Sequence, residues 1–349
     1  MGNMNILDKV DVHKADPRGM IGHIEGFASL CEQAFDISER HSIPSYYLKA
    51  KKIVLLGMGG SGQAGDVIKN ILDEKTDLIV ESVHNYILPN FVDKDTLVIA
   101  CSYSGDTEET LSGFISAYEK DAKMIAITSG GKLKILAEKY KVPVMQFDYK
   151  CPPRASFPFT FIFLLSVFNK LGYIENIDKK NLINVLTIDI NKYQTANSLL
   201  GNPAKILAEK IYGKIPIIYT SEKLSGAGAR LKAQFNENAK NFAFNEQIPE
   251  TSHKSLEGLQ NPRNMTFVIM LESNFEYNRN QIQQNITSEF LAKNRIPCER
   301  IKFLQAKDPV TEMFLQVIFG DFVSYYLAML NKENPGVNDI IDRFKERLV

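Results

Sequence analysis

Twice along its length the chain alternates short apolar runs with amphipathic segments, a pattern that favours parallel sheets covered by helices on both faces. In the first series the apolar runs are residues 52–56, 77–83, 97–101, 124–128 and 142–147. Segments of helical spacing, such as 64–74 and 108–120, separate them. In the second series, 215–219, 265–271 and 299–304 read as strands, with helices over 225–240 and 275–294. An apolar helix over 311–331 and a short amphipathic one over 338–348 follow. Residues 1–45 read as helical, because Ile21, Phe27, Leu30, Cys31 and Phe35 recur near helical spacing. A Cys-Pro-Pro-Arg run at 151–154 opens an apolar helix reaching 174, and 178–197 reads as a polar linking helix. At ~100–200 residues per domain, 349 residues agree with two domains. The expected fold is α/β: two doubly wound parallel-sheet domains, flavodoxin-like and three-layer αβα, with helical N- and C-terminal segments. Residues 1–45 are expected to pack on the core, 46–174 to form the first domain and 175–349 the second.

Composition narrows the function. With 41 basic and 41 acidic residues the formal charge is zero, so no surplus of positive charge exists to neutralise a nucleic-acid backbone. Cys31, Cys101, Cys151 and Cys298 lie far apart and the five histidines are scattered, so neither a disulfide framework nor a metal site is expected. The first residues are polar and lack the apolar core of a signal peptide. The most apolar stretch, 155–168, contains Pro158 and falls short of the ~20 residues that span a bilayer, so it reads as a buried helix. A cytoplasmic protein without a membrane partner is expected.

Two loops carry the chemistry. Gly57-Met58-Gly59-Gly60-Ser61-Gly62 follows a strand and opens a helix. Glycines let backbone N–H groups approach an anion, and a helix N-terminus favours negative charge. The same spacing fits GxGxxG through Gly57, Gly59 and Gly62, with Glu81 near the place of a ribose-binding acid. A phosphate site, a dinucleotide site and a plain tight turn are all compatible with it. The second loop, Ser102-Tyr103-Ser104-Gly105-Asp106-Thr107, sets three hydroxyls around one glycine before the next helix. Hydroxyls and free N–H groups can encircle a terminal phosphate without lysine or metal, whereas a pyrophosphate site needs no such cluster. Helix capping by Ser104 or Thr107 is the other reading.

These loops, GxGxSG followed by SxSGxT, resemble the sugar isomerase (SIS) domain. Gly60, Ser61, Ser102, Ser104 and Thr107 are its phosphate-binding candidates. Asp106 stands where many relatives carry Asn, and a carboxylate beside a phosphate must face away, so it is left out of the site. Asn236-Glu237-Asn238-Ala239-Lys240, then Pro249-Glu250 and His253, together with Pro153-Arg154 and a C-terminal helix bearing Lys345, widen the likeness. Nearly the whole chain is similar to the bifunctional phosphoglucose/phosphomannose isomerase family of archaea and bacteria. The resemblance implies isomerisation of glucose-6-phosphate and fructose-6-phosphate, with mannose-6-phosphate a further candidate, through ring opening and a cis-enediol. It implies Glu237 as the proton-transferring base, His253 as the ring-opening residue, Arg154 as the enediolate-holding cation and Lys345 as a lysine near the ring oxygen. It also implies no metal, no organic cofactor, and a homodimer whose site lies near the interface, where His253 comes from the second copy. Lys254 and Gly336 depart from the family, which often has Asn after the histidine and a threonine-bearing DPTP-like run in place of 334–337. The Gly336 departure bears on mannose. Two other classes are consistent with parts of the sequence: a non-catalytic SIS sensor, which needs no base, and a nicotinamide-dependent oxidoreductase resting on GxGxxG and Glu81.

Overall fold

The structure, a computed structural model, describes residues 6–8, 11–73, 75–261 and 265–348. They divide into two compact units. One is Gly26–Asn184; the other joins the described residues of Met1–Glu25 to those of Val185–Val349. The N-terminal helical stretch is thus shared between units. The helix Phe27–Glu39 packs on Phe157–Lys170, while Met20–Glu25 packs on Pro309–Asn331. The division between 184 and 185 falls inside the helix Lys179–Tyr193, ten residues beyond the expected boundary.

In the unit Gly26–Asn184 five parallel strands are described: β1 (Lys52–Gly57), β2 (Ile79–Val83), β3 (Thr96–Ser102), β4 (Lys123–Thr128) and β5 (Val144–Gln146). Their order is β2-β1-β3-β4-β5. Ile53 to Leu56 and Leu97 to Ala100 are buried without alternation, as expected for central strands with helices on both faces. The order reverses direction between β1 and β3, and in open α/β sheets the crevice at such a point is where ligands bind. The glycine and hydroxyl loops leave these two strands, so the topology alone brings them together.

The other unit carries a second parallel sheet, β6 (Ile215–Ser221), β7 (Phe244–Ile248), β8 (Thr266–Glu272) and β9 (Cys298–Lys302), in the order β7-β6-β8-β9. The helix Pro309–Asn331 is long and apolar enough to cross a membrane, but its apolar window is wholly buried in protein. It packs on Pro203–Ile211 and Ser225–Glu237. Its polar side chains fix the register. Asp321 accepts from Arg230 Nη2 and from Gln234 Nε2, each at 2.7 Å, and Ser324 Oγ accepts from Asn238 Nδ2 at 2.9 Å. A sliding helix would leave these buried groups unpaired, at about 1–3 kcal/mol apiece. The strand β7 and the helix Pro203–Ile211 were not anticipated from the sequence.

Candidate active site

In the unit Gly26–Asn184, two helices start side by side at the reversal point. The helix Gly59–Leu72 follows β1 and Glu108–Glu119 follows β3, and neither has a side-chain cap on its first turn. Thr107 occupies the N-cap position of the second helix, yet its Oγ1 lies 3.0 Å from Ser102 Oγ instead of capping. Ser104 Oγ accepts from Asp106 N at 3.2 Å, which closes a turn and caps no helix. The capping reading of the hydroxyls therefore fails. First-turn N–H groups have no partner within their own helix, and two sets of them beside paired hydroxyls make a cradle that can receive an anion.

The loops interlock. Tyr103 N donates to Ser61 Oγ at 3.1 Å, joining the hydroxyl loop to the glycine turn. Gly105 N donates to Ser102 Oγ at 3.1 Å. Gly105 sits at φ +73° with its Cα face against Gly130, so that a Cβ there would lie 1.9 Å from the Gly130 carbonyl oxygen. Asp106 turns away from the cradle, its Oδ1 accepting from Lys132 N at 3.1 Å. That direction removes the repulsion a carboxylate would impose on a phosphate.

Arg154 lies in the turn Pro153–Ser156 and is 1% exposed. Its backbone rests on Gly60, where a Cβ would come within 2.9 Å of Arg154 Cα, so the glycine is required for this close approach. Tyr103 fixes the incoming chain: its hydroxyl donates to Tyr149 O at 2.9 Å and accepts from Cys151 N at 3.0 Å. Burial pushes the Cys151 thiol up to about 12, with the Arg154 charge opposing it, so Cys151 is not a thiolate nucleophile at neutral pH. Gly60, Ser61, Ser102, Thr107 and Arg154 are thus gathered at one end of one sheet, with exposed Ser104 at the rim.

The other unit holds Glu237, the last residue of the helix Ser225–Glu237. Its neighbours in the motif lock the chain there. Asn238 is buried on Ser324, Ala239 O accepts from Asn331 Nδ2 at 2.9 Å, and Lys240 Nζ donates to Glu237 O and Val337 O. The half-buried Glu237 accepts at Oε2 from Asn338 Nδ2 at 2.9 Å. It lines a cavity of about 600 Å³ with Asn236, Lys240, Glu333, Asn338 and Arg343 among its walls. A carboxylate held at a cavity wall is placed to accept a proton from a carbon acid.

His253 and Lys345 do not line that cavity. His253 ends the turn Glu250–His253, which Thr251 Oγ1 and Ser252 Oγ anchor to Gln247 O and Gln283, and its side chain is exposed. Lys345 ends the helix Asp339–Lys345 and is exposed too. The second sheet has its own reversal point, between β6 and β8, but buried carboxylates occupy the end of β8. Ser273 Oγ and Asn274 N both donate to Glu312, with Glu272 and Glu276 nearby in sequence and also buried. Desolvation raises the Glu312 pKa, against the hydrogen bonds that lower it. An anion is disfavoured beside such carboxylates. Asn338, and His84 beside the glycine turn, were missed from the sequence; each follows or opens a legible element but carries no motif.

Residues 46–143 match the SIS domain family, and 200–348 match the bacterial phospho-glucose isomerase C-terminal SIS domain. The chain is 35% identical to the bifunctional phosphoglucose/phosphomannose isomerase of Caldicellulosiruptor bescii, over 91% of this chain and 95% of that one. It is 37% identical to a D-glucosamine-6-phosphate 4-epimerase of Sulfolobus acidocaldarius, over 60% of this chain and 64% of that one. The fold is similar to the C-terminal domain of glucosamine-fructose-6-phosphate aminotransferase from Francisella tularensis, with a TM-score of 0.72 and 12% identity over 91% of this chain and 98% of that one. On its match to C. bescii over nearly the full length, the chain belongs to the bifunctional phosphoglucose/phosphomannose isomerase family.

Proposed function

We propose that this protein is an aldose–ketose isomerase that interconverts glucose-6-phosphate and fructose-6-phosphate by ring opening and proton transfer through a cis-enediol. The observation that carries the proposal is Glu237, held by Asn338 at a cavity wall and fixed by the buried Asn238 and the bridging Lys240. A non-catalytic sensor has no use for a carboxylate so positioned. In this reading Ser61, Ser102, Ser104, Thr107 and the amides of Gly60 and its neighbours hold the phosphate. Glu237 carries the proton between C1 and C2, Arg154 stabilises the enediolate, and His253 with Lys345 assists ring opening. Arginine suits its task because it keeps its charge when buried. None of these roles requires a metal ion. A coupled assay in EDTA is expected to turn over fructose-6-phosphate, and mannose-6-phosphate more slowly because Gly336 replaces the family's threonine. Activity lost to the chelator would overturn the mechanism. D-glucosamine-6-phosphate, run alongside, is expected to stay unchanged, and its 4-epimerisation would favour the other relative's chemistry.

We further propose a cytoplasmic homodimer in which His253 reaches the site of the second copy. Support comes from apolar side chains exposed at the rim of the Glu237 cavity, Ile340 at 77% and Phe242 at 79%, and from His253 lying outside its own chain's cavity. Glu237→Gln and His253→Asn chains, each inactive alone, are expected to regain activity when mixed. Half of randomly paired dimers are mixed and one of their two sites is intact, so recovery should approach about a quarter of wild-type turnover. No recovery would place His253 in its own chain's site.

A further inference from the structure

His84 follows β2 directly, and its imidazole reaches the glycine turn. Nδ1 lies 2.6 Å from Gly57 O and Nε2 lies 2.9 Å from Asp66 Oδ1. The β1–β2 register ends at the pair Leu56 and Val83, so Gly57 O extends past the last paired residue of β2, and the side chain takes the place of a strand partner. The imidazole also rests on the turn itself, because a Cβ at Gly62 would lie 2.8 Å from Nδ1. Both ring nitrogens face oxygens that only accept: a carbonyl and a carboxylate. A neutral imidazole has one N–H and satisfies one of them, whereas an imidazolium satisfies both.

We infer that His84 is a positively charged positioning residue for the phosphate cradle, its imidazolium bridging the carbonyl that begins the glycine turn to the helix that leaves it. The chain is closed: β1 ends in Gly57, the turn runs to Gly62, the helix Gly59–Leu72 carries Asp66, and His84 ties Asp66 back to Gly57. The bridge fixes the angle at which the first-turn N–H groups leave the sheet, and it sets a cation behind an anion site. The inference rests on the proposed phosphate role of this turn and adds a residue outside its motif. The charged groups facing the ring are Asp66 from the helix and Glu81 from β2. In agreement, the Asp66 hydrogen bond raises the His84 pKa to about 9, against partial desolvation. A pKa raised on folding means that the imidazolium stabilises the fold fully below its ordinary value near 6.5, and that this contribution fades as pH rises through about 9.

The test uses the full-length protein. Inorganic phosphate is expected to inhibit the wild type competitively against fructose-6-phosphate. In His84→Gln, the KM for fructose-6-phosphate and the phosphate inhibition constant should both rise ~10-fold while kcat changes less than ~3-fold. A wild type insensitive to phosphate overturns the phosphate reading and this inference with it. A phosphate-sensitive wild type with unchanged constants in His84→Gln overturns the inference alone. Should the variant fail to fold, nitrogen-15 spectra of the wild-type imidazole at pH 8 decide the matter. Two protonated ring nitrogens on His84 support the bridge, and a neutral tautomer overturns it.

Discussion

Replacing Glu237 by glutamine is expected to lower isomerase turnover by at least ~100-fold while sugar-phosphate binding persists. Glutamine keeps the shape and can still accept from Asn338 Nδ2 through its carbonyl oxygen, so the cavity wall survives. It loses the ability to take a proton. The residues proposed to hold the phosphate lie in the other unit and are untouched by the change. A sharp fall in kcat with little change in the inhibition constant of 6-phosphogluconate therefore separates a base from a binding residue. Turnover close to wild type would remove Glu237 from the mechanism and return the sensor reading to consideration. Asn338→Ala removes this one hydrogen bond while keeping the carboxylate and is expected to cost less, roughly 10-fold in kcat.

Gly105→Ala is expected to destabilise the unit Gly26–Asn184 by about 3 kcal/mol or more. The backbone at φ +73° already disfavours a side chain, and the added Cβ would fall 1.9 Å from the Gly130 carbonyl oxygen. That neighbour is backbone and cannot rotate aside. Gly131 is bound to it reciprocally, with its own Cβ position 2.3 Å from Ser104 O, and Leu133 N donates to Gly105 O at 2.8 Å. Relief requires the hydroxyl loop and the start of the helix Gly131–Lys139 to separate, which also spoils the cradle. A drop in Tm of roughly 6–12 °C is expected for a unit of this size, together with a raised KM. A Tm within ~2 °C of wild type would mean the two loops part easily.

Much of the fold was legible because burial on both faces of a parallel sheet leaves unbroken apolar runs, as in residues 53–56 and 97–100. The elements that escaped notice have physical reasons. β7 is an edge strand reading Phe-Asn-Glu-Gln-Ile, with only Ile248 buried, so no apolar run marks it. The helix Pro203–Ile211 did carry a signal: Asn202 caps it, accepting from Ala204 N and Lys205 N, and Pro203 stands at its first position. The shared N-terminal segment was not legible, because Met20, Ile24, Phe27 and Leu30 keep one helical spacing while packing in different units. At the candidate site, the hydroxyl spacing marked the loop that the structure sets beside the glycine turn, and Asp106 Oδ1 accepts from Lys132 N. Asn338 escaped because its partner Glu237 lies 101 residues away. His84 escaped because its importance comes from strand register, which single-chain patterns do not display.

The proposed proton transfer by Glu237 is tested most directly by converting fructose-6-phosphate in deuterium oxide and reading C2 of the glucose-6-phosphate formed by NMR. A half-buried carboxylate on an open cavity exchanges its proton with solvent, so deuterium is expected at C2 with the wild type and not with Glu237→Gln. Wild-type product carrying only protium at C2 would contradict a carboxylate base and point to direct hydride transfer.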